Sequence, residues 1–288
     1  MSNSVSAIPG QPKAPVHSAG PPAAGAVAFI VGCGRSGTTI LGTILSHHED
    51  VSYVNDRFDL WIRPFGVTDI WGHRYDAPRY NPRVALTEAD VPVEGRQRFY
   101  ELLEFERRGR QVLVEKLAIN NFRIGFLMGL CPEASIISIV RHGCEVAWSI
   151  EAKVNAGQWY GKGDAKWEHL VSYAKSNGYD HLLPLCKTAW DRALLEWRMS
   201  VEAAERYLAV KAPRRLLRLR YEEMIENPEG LCDRLESFLD LKPSAAMRHF
   251  ARSEVRRKNP TAHQRPGGIP ASAEAIAGDT LRRLGYSL

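Results

Sequence analysis

The 288-residue chain has only five cysteines, and no two of them stand in a CxxC spacing. Cys33, Cys131, Cys144, Cys186 and Cys232 are widely separated and odd in number. This argues against a disulfide scaffold or a zinc site and for free thiols in a reducing cytoplasm. No His, Cys and carboxylate cluster suggests a metal ligand set either. Long apolar runs are missing too: none approaches the ~18–20 residues that a membrane-crossing helix needs. No charged-then-apolar leader pattern opens the sequence. Positive charge is only in small excess, with a formal net of +5. That balance does not call for nucleic acid and suits anionic ligands. Residues 1–25 are mostly Ser, Ala, Pro and Gly and carry almost no large apolar side chains. They cannot bury enough surface to offset ordering, so a disordered tail is expected there.

What the chain does have is a strand, a glycine loop and a helix start between Val27 and Leu45. Val27 to Val31 is a short apolar run, followed by Gly32, Gly34 and Gly37. Thr38 and Thr39 then open an apolar stretch that reads as a helix to about Ser46. Free backbone N–H groups and the helix dipole make such a junction an anion cradle. Gly32 and Gly37 keep the spacing of the Walker phosphate loop, but Thr38 stands where its lysine belongs. The lysine that would reach a β/γ-phosphate is absent, which disfavours ordinary ATP or GTP hydrolysis. A hydroxyl at 38 suits one terminal phosphate, and Arg35 adds a planar charged fork. The glycines also fit the looser GxGxxG turn of a dinucleotide-binding fold.

Downstream, Gly95–Arg108 reads as a helix, Val112–Val114 as a strand ending in Glu115 and Lys116, and Phe122–Leu130 as a helix. Ile136–Val140 is a β-branched strand that ends at Arg141, and a helix resumes through Glu145 to Lys153. Trp190, Leu194, Trp197, Val201, Ala204 and Leu208 recur at steps of three and four, predicting a core-facing helix over 187–210. Leu216–Tyr221 reads as a strand, with a helix from Pro228 to Leu239 and a last one over 272–284. Residues 61–92 and 155–185 read as long, aromatic-rich connections, and 251–270 as a basic, looping segment. The alternation predicts an α/β fold: a mostly parallel central sheet flanked by helices, a single domain over 26–288. Polar strand ends at 32–39, 116 and 141 then share one edge, where such sheets bind ligands.

Several ordered blocks resemble the sulfotransferase family that uses 3′-phosphoadenosine-5′-phosphosulfate (PAPS). They are Gly34-Arg35-Ser36-Gly37-Thr38-Thr39, Glu115-Lys116, Arg141 with Ser149, Leu219 to Met224 with Asn227-Pro228, and Leu284-Gly285-Tyr286. The resemblance implies a P-loop-like fold and transfer of a sulfuryl group to a hydroxyl, leaving adenosine 3′,5′-bisphosphate (PAP). It makes Gly34, Arg35, Ser36, Gly37, Thr38 and Thr39 the 5′-phosphosulfate loop, and Arg141 and Ser149 the 3′-phosphate pair. Lys116 becomes the group that meets the leaving oxygen, with Arg35 near the sulfonate. Asp56 falls where the tyrosylprotein branch and its relatives carry a carboxylate base; Asp59, His47 and His48 are rivals on the same segment. Arg257 and Lys258 correspond to a loop folded over the 3′-phosphate. Trp61 and Trp159 are candidates for stacking on adenine or on an acceptor ring.

The sequence departs from the pattern at Leu117-Ala118, where a polar residue and proline are common, at His142, where Asp is common, and at Asp56 in place of Glu. The acceptor stays open among sugar, phenol, lipid and amino-acid hydroxyls, and the oligomeric state is not readable. The competing readings are a nucleotide-binding module without transfer and a small-molecule kinase. Retention of Lys116 and Asp56 opposes the first, and the missing loop lysine opposes the second.

Overall fold

A computed structural model describes residues 27–74, 76–256, 261, 264 and 267–288. The expected tail at 1–25 and the pair Arg257 and Lys258 lie outside the described residues. Five strands form one sheet: β1 (Val27–Val31), β2 (Val51–Asn55), β3 (Val112–Lys116), β4 (Ser135–Val140) and β5 (Leu216–Arg220). Their order is β2-β3-β1-β4-β5, and every pairing is parallel. This is the P-loop-like α/β architecture expected from the sequence.

Strand β1 is central and wholly buried. Its alternation sends Val27, Phe29 and Val31 into one core and Ala28 and Ile30 into the other, as a strand's period of two requires. On the first face lie α2 (Phe58–Ile62), α3 (Arg96–Arg107), α4 (Ile124–Leu130), α5 (Gly143–Asn155), α6 (Ala165–Ser176), α7 (Ala189–Val210) and α11 (Ser272–Arg283). On the second lie α1 (Thr38–Ser46), α8 (Tyr221–Glu226), α9 (Pro228–Leu239) and α10 (Ala245–Glu254). The stripe Trp190, Leu194, Trp197, Val201, Ala204 and Leu208 of α7 is buried throughout. Each fully buried large side chain in it contributes about 1.5–3 kcal/mol. A reciprocal cap starts α7: Thr188 Oγ1 accepts from the Asp191 N–H at 3.1 Å, and Asp191 Oδ2 from the Thr188 N–H at 2.9 Å. Pro228 takes the first position of α9, behind Asn227, whose Oδ1 accepts from the Gly230 N–H at 2.9 Å.

Several elements differ from expectation, among them α8, which begins at Tyr221 where a strand was expected. Among the described residues strand β2 pairs only with β3; it buries just Val51 and Val54, too weak a pattern to stand out. Residues 165–176 of the 155–185 connection form the helix α6, whose buried positions are Lys166, Leu170, Tyr173 and Ala174. A lysine at a core position hides that periodicity. Residues 251–254 belong to α10, so the basic segment begins on a helix.

The strand order places the ligand edge. From β1 the chain crosses to β2 and β3 on one side and later to β4 on the other, so a crevice opens at the C-terminal ends of β3, β1 and β4. No helix among the described residues is long and apolar enough to cross a membrane.

Candidate active site

The loop after β1 ends at Gly37, which stands at the start of α1 with φ 95° and no side-chain cap. No acidic residue lies in the first turn of α1. Its unpaired N–H groups and the positive dipole end therefore face an open site. Only glycine fits at 37, because a Cβ there would lie 2.5 Å from the Tyr221 ring. At Gly34 a Cβ would come 2.4 Å from the Trp159 indole. Ser36 Oγ is buried and has no hydrogen-bond partner among the described residues, a state that is uncommon unless a ligand or water completes it. The residues present thus fit a bound phosphate or phosphosulfate.

Arg35 extends from this loop on a left-handed backbone, φ 72°, and its Nε donates to Ser149 Oγ at 3.0 Å. Burial and the nearby Arg141 guanidinium lower the Arg35 pKa. Arg141, at the end of β4, is fixed from three sides. Its Nε and one terminal nitrogen donate to Glu145 Oε2 at 3.1 and 2.7 Å, and the other donates to the Arg35 carbonyl at 3.3 Å. Its guanidinium lies 4.1 Å from the centre of the Tyr221 ring. These contacts leave N–H groups of the fork for an anion. Arg35, not Arg141, makes the direct bond to Ser149, and it joins the two halves of the expected anion pair.

On β3, alternation turns Glu115 and Lys116 to opposite faces. Glu115 is fully buried, accepts from Trp61 Nε1 at 2.7 Å and Asn120 Nδ2 at 3.2 Å, and burial pushes its carboxyl up to about 8. Lys116 is 2% exposed, and its Nζ lies 2.6 Å from Asp56 Oδ2. The Asp56 N–H donates to the Lys116 carbonyl at 2.9 Å, so the backbone delivers the carboxylate to the lysine. The rivals of Asp56 go elsewhere. Asp59 accepts from Arg57 Nε and from one of its terminal nitrogens at 2.8 and 3.0 Å. His47 hydrogen-bonds the Thr43 carbonyl and stacks on Phe250, and His48 bonds the Lys242 carbonyl.

Two cavities meet at Arg35, Thr38 and Thr39. One, of about 350 Å³, is lined by Arg141, Ser149, Tyr221, Ile225 and Arg256. The other, of about 550 Å³, is lined by Asp56, Lys116, Phe58, Trp71, Phe122 and Trp159. Trp159 is held there by Glu196, which accepts from its Nε1 at 2.8 Å. Trp61 is core, 1% exposed. Sequence reasoning missed Glu145, Tyr221, Glu196 and Lys166. The first was legible as an i,i+4 partner of Arg141; the others lie too far away in sequence for any local signal.

Next to Phe122 of the larger cavity's lining lies a buried anchor. Arg123 is 1% exposed and donates to the carbonyls of Val84, Thr68 and Arg83 at 2.9, 3.1 and 2.8 Å. Burial pushes its pKa down to about 9. Arg123→Met leaves three carbonyls without their donor and is expected to cost roughly 3 kcal/mol in urea unfolding. A loss under about 1 kcal/mol would show that the segment from Thr68 to Val84 is held by other contacts.

An open parallel sheet with an anion cradle at its switch point defines an α/β phosphate-binding protein with a second, adjoining cavity. The family model described as the sulfotransferase family matches residues 28–244. The chain belongs to that family and is a sulfotransferase. Two solved structures share the fold. The sulfotransferase domain from the curacin biosynthetic pathway is 16% identical, with a TM-score of 0.51 over 91% of this chain and 98% of that one. The sulfotransferase domain from the Synechococcus PCC 7002 olefin synthase is also 16% identical, with a TM-score of 0.51 over 91% of this chain and 95% of that one. No curated protein matches the chain.

Proposed function

We propose that the protein transfers a sulfuryl group from PAPS to a hydroxyl of an acceptor, with the donor in the smaller cavity and the acceptor in the larger. The observation that carries this reading is the Lys116–Asp56 pair, 2.6 Å apart, lining the acceptor-side cavity beside the phosphate loop. The donor supplies the sulfuryl group and a phosphate leaving group. Asp56 takes the proton of the acceptor hydroxyl. Lys116 meets the charge that grows on the leaving oxygen, and Arg35 with the hydroxyls of Ser36, Thr38 and Thr39 holds the phosphosulfate. Arg141 and Ser149 hold the 3′-phosphate, with Arg256 at the same cavity. The five free cysteines support a cytoplasmic setting.

Calorimetry with PAP and AMP tests the donor assignment. Charge-assisted contacts to the 3′-phosphate are worth about 1.5–3 kcal/mol, so PAP is expected to bind roughly ten- to a hundred-fold more tightly. Arg141→Ala should erase most of that difference and spare AMP binding. Equal affinities for the two nucleotides in the unaltered protein would remove PAPS as the donor.

A further inference from the structure

We infer that the acceptor is a flat, largely apolar ring compound that offers one hydroxyl, a phenol or fused-ring alcohol, and not a sugar or other polyol. This inference rests on the sulfuryl-transfer reading of the same cavity. Its volume of about 550 Å³ is that of a site for a ligand of several rings. Phe58 packs edge-on against Trp71 at 4.7 Å and at a tilt against His73 at 4.7 Å. Phe122 and Trp159 add further ring surface. Ring edges and faces of this kind favour a planar aromatic guest.

The polar groups point the same way because the inner ones are already paired. Asp56 and Lys116 hold each other. Glu196 spends one oxygen on Trp159, and the other lies 2.5 Å from Lys166 Nζ. That lysine sits 4.2 Å from the centre of the Trp159 ring. Ser200 Oγ accepts from Asn121 Nδ2 at 3.0 Å. Of the cavity side chains left without a hydrogen-bond partner among the described residues, Thr38 and Thr39 belong to the phosphate loop, and His73 and Lys162 are exposed. A sugar inside would bury several hydroxyls with nothing to bond, each costing roughly ten-fold in affinity. A ring with one hydroxyl directed at Asp56 leaves nothing unsatisfied.

The experiment compares 2-naphthol with methyl β-glucopyranoside. Binding is read by tryptophan fluorescence, in the free and the PAP-loaded protein, and transfer is read with sulfur-labelled PAPS. Naphthol is expected to bind saturably and to be sulfated with a kcat/KM roughly a hundred-fold above the glucoside. Phe58→Ala and Trp71→Ala should each weaken naphthol binding about ten-fold and leave PAP affinity unchanged. Comparable use of both compounds, preference for the glucoside, or no naphthol binding in either form overturns the inference. Naphthol binding without PAP binding or transfer would sink the sulfuryl-transfer reading and leave the cavity's preference standing.

Discussion

Asp56→Asn is expected to slow sulfuryl transfer by about 10²–10⁴-fold, the usual loss when a general base is removed. The substitution keeps shape and an acceptor oxygen 2.6 Å from Lys116 Nζ, where Asp56 Oδ2 now sits, yet it cannot take a proton. Lys116 is almost wholly buried while the Asp56 side chain is 41% exposed. Solvent therefore screens the pair, and losing its charge should cost only about 1 kcal/mol of stability. PAP affinity should stay within about three-fold, because the donor contacts lie on the other side of Arg35. Asp59→Asn is the control: its carboxylate faces Arg57, so transfer should fall less than about three-fold. A near-normal rate in the variant at 56 with a collapse at 59 would show that the wrong carboxylate has been chosen.

Lys116→Met should lower kcat by roughly a hundred-fold or more with little change in PAP binding. Methionine fills the same buried space without the ammonium. The charge it would meet develops only as the sulfur–oxygen bond breaks, so the loss falls on the transition state and not on the ground state. Pre-steady-state rates and calorimetry on the same preparation separate the two. A variant that no longer binds PAP but turns over normally at saturation makes Lys116 a ground-state anchor and ends the leaving-group role. Because Lys116 and Asp56 touch, the double variant should be far less impaired than the product of the single losses.

The edge that carries the phosphate loop was legible because its parts are local. The glycine loop, the β-branched strand running into Arg141 and the strand running into Lys116 each lie within a few residues, and strand polarity brings their ends to one edge. The larger cavity was not. Its walls join Phe58 and Trp71 to Trp159 and Glu196, residues of separate connections and helices brought together only by packing. Helix α6 was hidden for a related reason: Lys166 occupies an inward position because Glu196, thirty residues on, neutralises it. A pattern of apolar residues cannot register an ion pair between two helices. Asp56 was placed by family resemblance; the choice over His47, His48 and Asp59 has geometric support from its 2.6 Å contact with Lys116 Nζ and from the register that sets Asn55 opposite Lys116.

The backbone of Arg35 shows a tension between folding and work. At φ 72° a side-chain-bearing residue other than Asn or Asp is disfavoured by about 1–2 kcal/mol, and glycine would sit there at ease. Total stabilities are only about 5–15 kcal/mol, so this one residue withholds an appreciable share. Its neighbours Gly34 and Gly37 bring no charge, whereas the arginine places a guanidinium where both cavities meet. The loop is thus the point at which a sequence chosen for stability alone would diverge from this one, trading a charged hand for a relaxed turn.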